Sequence, residues 1–366
     1  MFLNNSGAEE FEDCARKRFW SKEYNGTGLE STFRNDNLDF GTIVHVGLGA
    51  FYSGETFPSL IAREEGKKLL DFDNMYFEDR NKWAEHFDWI GRIMSAYLPY
   101  AQEKDDFTTI QIEAEGCVVL GEICYRCGKA YPETEDPEQL LLCPSCATEV
   151  NHWVFRVDMA VNRGEHHPTV QIVDHKTTSS LGDNYLLQWH NSFQMWGYCY
   201  GYAKRSGLKV SGYLVNIIRK LKSIGQEEST TKTCPDCRNG VKKRLSCGTC
   251  LSTGKVEKEV KGDDVPFVRE EDSWNDYKKE IFVRNRLNTV TRILDEKERF
   301  KHEPDAAWPM NPKSCFKMGR CAFWKLCYTP NDPEKWYEPT DDQLINFELK
   351  QPDYVTVKQM AREEMT

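Results

Sequence analysis

Two short apolar runs, each ending in an aspartate, constrain this chain more than any other feature. Val154-Phe155-Arg156-Val157 leads into Asp158, and Ile172-Val173 leads into Asp174, His175 and Lys176. An apolar run that stops at charge reads as a buried strand reaching the edge of a sheet. A polar turn with Gly164 and Pro168 separates the runs, so together they read as a hairpin. Such a hairpin stands both carboxylates at one end of the sheet with Lys176 beside them. Two carboxylates held together repel, and a divalent cation neutralises them well. A lone Asp-x-Lys carries little weight by itself, and a satisfied surface ion pair is the plain alternative.

The 366 residues suffice for one large domain or two ordinary ones. No run of about 18 apolar residues occurs, so no membrane span is expected. Met1-Phe2-Leu3-Asn4-Asn5 is not a basic region followed by an apolar stretch, so no secretory leader is expected. The net charge of −10 argues against a surface coated with phosphate contacts. A local basic groove remains compatible with it, because phosphate affinity follows where charge sits. Fourteen cysteines would suit a disulfide scaffold only in a small secreted domain. Here most stand in Cys-x2-Cys pairs, which points to metal in a reducing, cytoplasmic compartment.

Cys124 and Cys127, then Cys143 and Cys146 fifteen residues on, form two knuckles that supply four thiolates, the pattern of a structural zinc ribbon. Cys234 and Cys237, with Cys247 and Cys250 nine residues later, repeat it as a second zinc site. Arg238, Lys242, Lys243 and Arg244 between them either touch nucleic acid or keep a small hairpin soluble. Cys315, Cys321 and Cys327 are spaced with five residues between neighbours and have no paired knuckle. Their fourth ligand must come from elsewhere, and Cys14 is the unpaired candidate. Thiolates accept zinc or an iron–sulfur cluster, and spacing does not separate the two. Cys117 reads as a strand residue.

Around these motifs the chain alternates helix and strand. Residues 11–24 read as a short helix whose Arg16, Lys17 and Arg18 either lie near nucleic acid or form a solvated basic face. Residues 41–62 read as an apolar helix carrying His45, and residues 81–103 as a core helix with Trp83, Phe87, Ile90, Met94 and Tyr97 in one stripe. Strands are expected at 107–119 and 212–221. A helix over 184–204 puts Gln194 and Tyr198 four apart on one face. A long helix over 273–301 has Ile281, Leu287, Val290 and Leu294 as its seam, and an acidic tail from 328 reads as loose packing without chemistry.

In order, His45 after Gly41, Asp158, Asp174-x-Lys176 and Gln194-x-x-x-Tyr198 resemble the PD-(D/E)xK nuclease superfamily, in the branch with RecB-type and Cas4-type nucleases and many phage exonucleases. The split set Cys14, Cys315, Cys321 and Cys327 is similar to the four-cysteine iron–sulfur site of these nucleases, which favours a [4Fe–4S] cluster. One position departs: the family often has Gly three residues before the first acid, where this chain has Phe155. The resemblance implies an α/β, restriction-endonuclease-like core, a central mixed sheet flanked by helices. On it would sit two zinc-knuckle insertions (117–150 and 227–260) and a cysteine cluster with the long helix (261–330). The core itself would comprise 1–116 and 151–226, with 331–366 as a tail.

It further implies Mg²⁺ or Mn²⁺ on His45, Asp158, Asp174 and the backbone carbonyl of His175. Lys176 would act in catalysis, with Gln194 and Tyr198 contacting substrate or supporting the attacking water. The product would be a 5′-phosphate end, and the function a metal-dependent DNA exonuclease in recombination, repair or phage replication. Two rivals stand beside it: a non-catalytic nucleic-acid-binding protein, and a structural subunit of a recombination or helicase complex. The clustered acids argue against pure binding. No Gly-x4-Gly-Lys-Ser/Thr phosphate loop occurs, so any motor would be a separate helicase, and an annealing protein is the other expected partner.

Overall fold

The computed structural model describes residues 1–132, 140–163, 169–224, 265–317, 319–328 and 332–351. It also describes the backbone of 231–233, 241–242, 245–246 and 255–257. The second cysteine quartet, Cys234, Cys237, Cys247 and Cys250, lies outside the described residues.

Six strands form the central sheet: β1 (Phe2–Leu3), β2 (Thr108–Val119), β3 (His152–Asn162), β4 (Val170–Thr178), β5 (Val210–Arg219) and β6 (Phe267–Ser273). β2 lies antiparallel along the whole of β3. The other edge of β3 is shared. β1 joins it in parallel at His152 and Trp153, and β4 joins it antiparallel from Met159 to Asn162. Between these partners, residues 154–158 have no strand on that side, and the sheet has a notch. β5 then runs parallel to β4, and β6 antiparallel to β5, so the sheet is mixed as expected.

One face carries α2 (Asp36–Tyr52), α3 (Pro58–Leu70) and α4 (Phe77–Lys104). Their buried side chains include Ile43, Val44 and Leu48 against Ile90, Met94 and Tyr97, over Ile218 and Phe267 of the sheet. The opposite face carries α1 (Asn5–Asp13), α5 (Phe193–Ser206) and α6 (Asp276–His302), whose core includes Trp153, Phe155, Tyr200 and Phe282.

Two helices expected to be continuous are broken. The one carrying His45 ends at Tyr52. Gly54 then takes φ +82, and Pro58, which suits a first turn because it lacks an N–H, opens α3. Before α5, Ser192 adopts extended geometry and caps the helix by accepting from Met195 N–H, leaving 183–191 as separate short turns. The seam of α6 is also rotated from the expected one. Phe282, Arg286, Thr289, Val290 and Ile293 are buried, while Ile281, Leu287 and Leu294 are half-buried. The N-terminal helix breaks at Cys14, which is extended. Arg18 beyond it is buried against the Gly7 carbonyl, and the Arg16 guanidinium stacks 3.9 Å over Trp336. Both arginines therefore hold the fold. The tail is not loose over its described part: Trp336 is buried, and Phe347–Leu349 pairs with Leu29–Ser31.

Phe155, the departure from the family pattern, is accommodated by glycine opposite it. A Cβ on Gly201 of α5 would fall 2.2 Å from the Phe155 ring, and one on Gly197 would fall 2.5 Å from Trp153. This spacing lets α5 lie directly on β3.

Candidate active site

The site forms at the notch. Met159↔Val173 is the last rung joining β3 and β4, and one step outward the strands part at Asp158 and Asp174. The His175 backbone N–H turns to Asp158 and donates to its Oδ2 at 2.7 Å. From above, α2 brings His45 Nδ1 to 3.3 Å from the same oxygen. Lys176 Nζ sits 2.7 Å from Asp174 Oδ2, and 5.5 Å from the Trp189 ring. Asp174 is buried, and the Lys176 ammonium is the cation that faces its Oδ2.

Alternation along β4 divides the site between two faces. Ile172 packs with the α5 layer and Val173 with Leu214 on the α2 side, so Asp174 and Lys176 belong to the α5 face. In β2 and β3 the faces exchange at a single rung. Ile112 and Met159 join the α2-side cluster, whereas Ala114 and Val157 join the α5-side core. Asp158 stands at that exchange, which is how it meets His45 from one layer while neighbouring Asp174 of the other.

Burial pushes the Asp174 carboxyl up to about 6 against the pull of Lys176, with Asp158 adding to the rise. Asp158 is also buried, yet the His45 imidazole and the His175 N–H hold its carboxyl well below the usual range. Burial alone would lower the His45 value, but the Asp158 carboxylate raises it. Lys176 is likewise raised despite burial, chiefly by Asp174, and stays an ammonium.

The His175 imidazole points away from the acids. It stacks on Tyr52 at 5.7 Å, its Nδ1 lies 2.9 Å from Asn216 Nδ2, and burial lowers it to about 3, so it is neutral and structural. Asn216 also donates to Tyr97 Oη, which is 2.7 Å from Tyr52 Oη, and Tyr52 bonds Asp105. The sequence reading missed this buried chain behind the site. Its one signal was Tyr52, two helical turns after His45 and so on the same face. Gln194 Nε2 donates to Tyr198 Oη at 2.8 Å. Both line a cavity of about 420 Å³ beside the notch, together with Asn4, Ser6 and Arg156. Burial and the nearby Asp174 raise the Tyr198 hydroxyl, which stays protonated.

A family model of the PD-(D/E)XK nuclease superfamily matches residues 3–328. The chain belongs to that superfamily. No curated protein matches it. Membership makes it a metal-dependent nuclease with a restriction-endonuclease-like fold. The donor set fits a divalent cation: two carboxylates and an imidazole, oxygen and nitrogen donors that such an ion accepts, meet at one notch. No member of this acidic set falls in a group of three donors within 4.8 Å of one another, so the side chains would draw together around an ion.

Elsewhere in this nuclease, Cys124, Cys127, Cys143 and Cys146 do converge, with all four sulfurs within 4.8 Å. Cys124 Sγ is 3.6 Å from Cys146 Sγ, and Cys127 Sγ is 3.7 Å from Cys143 Sγ. The two knuckles repeat one turn. Cys124 and Cys143 each donate their N–H five residues on, to Lys129 O and Thr148 O, and accept from Gly128 N–H and Ala147 N–H. Gly128 and Ala147 occupy matching left-handed positions, φ +68 and +55. This set can hold a metal ion.

Cys14, Cys315, Cys321 and Cys327 are less tightly gathered, since they form no group within 4.8 Å. The segments bearing them are nonetheless joined. Asn311 N–H donates to Cys14 Sγ, Ser314 Oγ and Asn311 Nδ2 donate to Asp13 O, and Cys321 N–H donates to Cys315 O.

Proposed function

We propose that this nuclease is a DNA exonuclease that hydrolyses phosphodiester bonds at the notch between β3 and β4, in a recombination, repair or replication setting. The observation that carries the reading is the meeting of His45, Asp158, Asp174 and Lys176 where those strands part. His45, Asp158, Asp174 and the His175 carbonyl would hold Mg²⁺ or Mn²⁺. The bound cation would supply Lewis acidity to the scissile phosphate and to the attacking water. Lys176, kept charged by Asp174, orients that water and offsets charge growing on the phosphoryl oxygens. Gln194 and Tyr198 form one hydrogen-bonded unit suited to a substrate oxygen. Water attacks phosphorus, the 3′ oxygen leaves with a proton, and the new end carries a 5′-phosphate.

Two metal centres accompany this chemistry in the proposal. Zinc on Cys124, Cys127, Cys143 and Cys146 is supported by sulfur pairs near the roughly 3.8 Å that a tetrahedral site with Zn–S of about 2.3 Å requires. A [4Fe–4S] cluster on Cys14, Cys315, Cys321 and Cys327 is supported by the joined segments and by thiols spread wider than a single ion needs. Cys234, Cys237, Cys247 and Cys250 would hold a second zinc. The thiol-rich content suits a reducing cytoplasm, and a separate helicase or annealing protein would supply the strand.

The test is incubation of the purified protein and Mg²⁺ or Mn²⁺ with end-labelled linear DNA, single- and double-stranded, beside covalently closed circles. Loss of linear DNA from an end, with circles spared, is the expected outcome. Cleavage of circles would replace the exonuclease reading with an endonuclease. No cleavage of any DNA with either metal would overturn it.

A further inference from the structure

Among the described residues, Arg219 is the arginine on the strands of the sheet whose charge the fold leaves unanswered. Arg156 on β3 pairs with Glu113, and Arg269 on β6 pairs with Asp105. Arg219, the last residue of β5, has Nε and Nη1 buried with no hydrogen-bond partner. A guanidinium carries five N–H donors and keeps its proton, so burying it unpaired costs stability and calls for an acceptor.

Its position says which acceptor. Alternation along β5 sends Val215 and Ile217 to the α5-side core and Ile218 to the α2 side, so Arg219 belongs to the α5 face. Asp174 and Lys176 occupy that same face of β4, and the register sets Lys176 beside Ile217 and Thr178 beside Arg219. Lys176 is committed to Asp174 at 2.7 Å, and Thr178 Oγ1 donates to Ser180 O. Arg219 therefore stands one strand over and two rungs beyond the lysine, about 7 Å along the sheet. Trp189, whose ring lies 5.5 Å from Lys176 Nζ, has Nε1 buried and unpartnered as well. Both orphans are donors, so what this side of the site lacks is an anion. On the other flank of Asp174, toward β3, the cavity with Arg156, Gln194 and Tyr198 opens. A chain of phosphates laid across the end of the sheet would pass from that cavity, over Asp174 and Lys176, to Arg219.

We propose that Arg219 holds a DNA phosphate neighbouring the scissile one, a binding residue outside the catalytic set that fixes the path of the strand across β4 and β5. This rests on the reading of DNA as the substrate. The planar guanidinium offers two parallel N–H donors to two phosphate oxygens, a match that a lone ammonium does not make. The residue as a whole is half-buried, and its long stem lets the fork lift onto an approaching backbone. A bound phosphate then supplies the acceptor that the free protein lacks.

Binding is measured by fluorescence anisotropy on full-length protein without added Mg²⁺ or Mn²⁺. The probes are a labelled linear single strand, with and without a 5′-phosphate, and a labelled single-stranded circle. Arg219→Gln should weaken binding about tenfold and flatten the dependence of log Kd on log salt by about 0.7, the share of one phosphate contact on a single strand. Arg219→Lys should keep the slope and recover part of the affinity, since the charge stays and the fork is lost. Without DNA, Arg219→Gln should melt no lower than wild type, because no partner is removed. A loss shared by the circle and the linear strands supports the site with an internal phosphate as its ligand. A loss confined to the 5′-phosphorylated strand supports it with the terminal phosphate. An unchanged slope and affinity in Arg219→Gln would overturn the proposal, and a lowered melting temperature beside them would assign the arginine to the fold. A wild type that binds none of the strands would overturn the reading of DNA as substrate, whereas binding indifferent to Arg219 removes this site alone.

Discussion

Asp174 is a carboxylate that burial makes harder to ionise, even with Lys176 beside it. Its folded value of about 6 lies above the roughly 3.9 of an unfolded chain, so the folded state binds that proton more tightly. The stability it contributes is full below about pH 4 and is lost as pH rises through about 6. In the proposed site a cation would take the place of that proton. The Mg²⁺-induced rise in melting temperature should therefore be small at pH 5 and large at pH 7.5. It should vanish in Asp174→Ala at both. A shift independent of pH would separate Mg²⁺ binding from Asp174. Lys176→Met should retain the shift but lower cleavage by about 100-fold or more, because in the proposed reaction the ammonium would act on the developing charge. At this scale the sequence was informative where chemistry needs a fixed residue type at a fixed spacing, as at Asp158, Asp174, Lys176 and His45. It was silent on the left-handed backbone of Glu113 (φ +49), which lies across from Asp158 where β2 and β3 exchange faces, since in Ile112-Glu113-Ala114-Glu115 an acid reads as an ordinary outward strand position. Left-handed backbone leaves no mark when glycine is not used.

Among the elements, α5 is the one whose placement rests on what is missing. Gly197 and Gly201 admit Trp153 and Phe155, so the helix that presents Gln194 and Tyr198 sits flush on β3. Gly201→Ala should cost about 1–3 kcal/mol in urea unfolding, because the new methyl meets an aromatic ring. Phe155→Gly, which restores the commoner family residue, should cost about 3–5 kcal/mol by emptying the same space. A neutral result in both would mean that α5 is held by other contacts. The zinc-ribbon reading offers a finer contrast. Gly128 meets the left-handed turn without strain, whereas Ala147 does so against its Cβ, so Ala147→Gly should stabilise that knuckle by up to about 1 kcal/mol. Helix and strand positions were largely legible from apolar periodicity. The breaks at Ser53 and Ser192 were not, because the apolar pattern runs across them while capping and a following proline stop the helix.

Over the whole molecule, residues far apart in sequence are fastened by aromatic packing, and the proposed cysteine cluster would join the same segments. Phe11 meets Trp308 edge-on, Phe19 meets Trp336 and Phe300, and Arg16 donates to Trp308 O across 292 positions. Cys14→Ala and Cys321→Ala should bleach the brown colour of anaerobically prepared protein equally, with a similar fall in melting temperature. A colourless wild type carrying an extra zinc would replace the cluster and keep the fastening. The sequence suggested this closure only through an odd cysteine. Its aromatic lining was hidden, because residues 328–366 are acidic and proline-rich and no pattern marks Trp336 as core.

That fastening also sets a clock. On a ribosome adding about 10 residues each second, Arg16 emerges roughly half a minute before the carbonyl it will grip. Through that interval Phe11, Phe19 and Trp20 have no aromatic partner from the far end of the chain. Asp158, Asp174 and Lys176 are all made within it, yet β5 and β6 on one side of the sheet and the α6 brace come later. A nascent chain that stalls before β5 is made thus displays a sticky helix and an unbraced acidic hairpin, a ready substrate for chaperones and proteases.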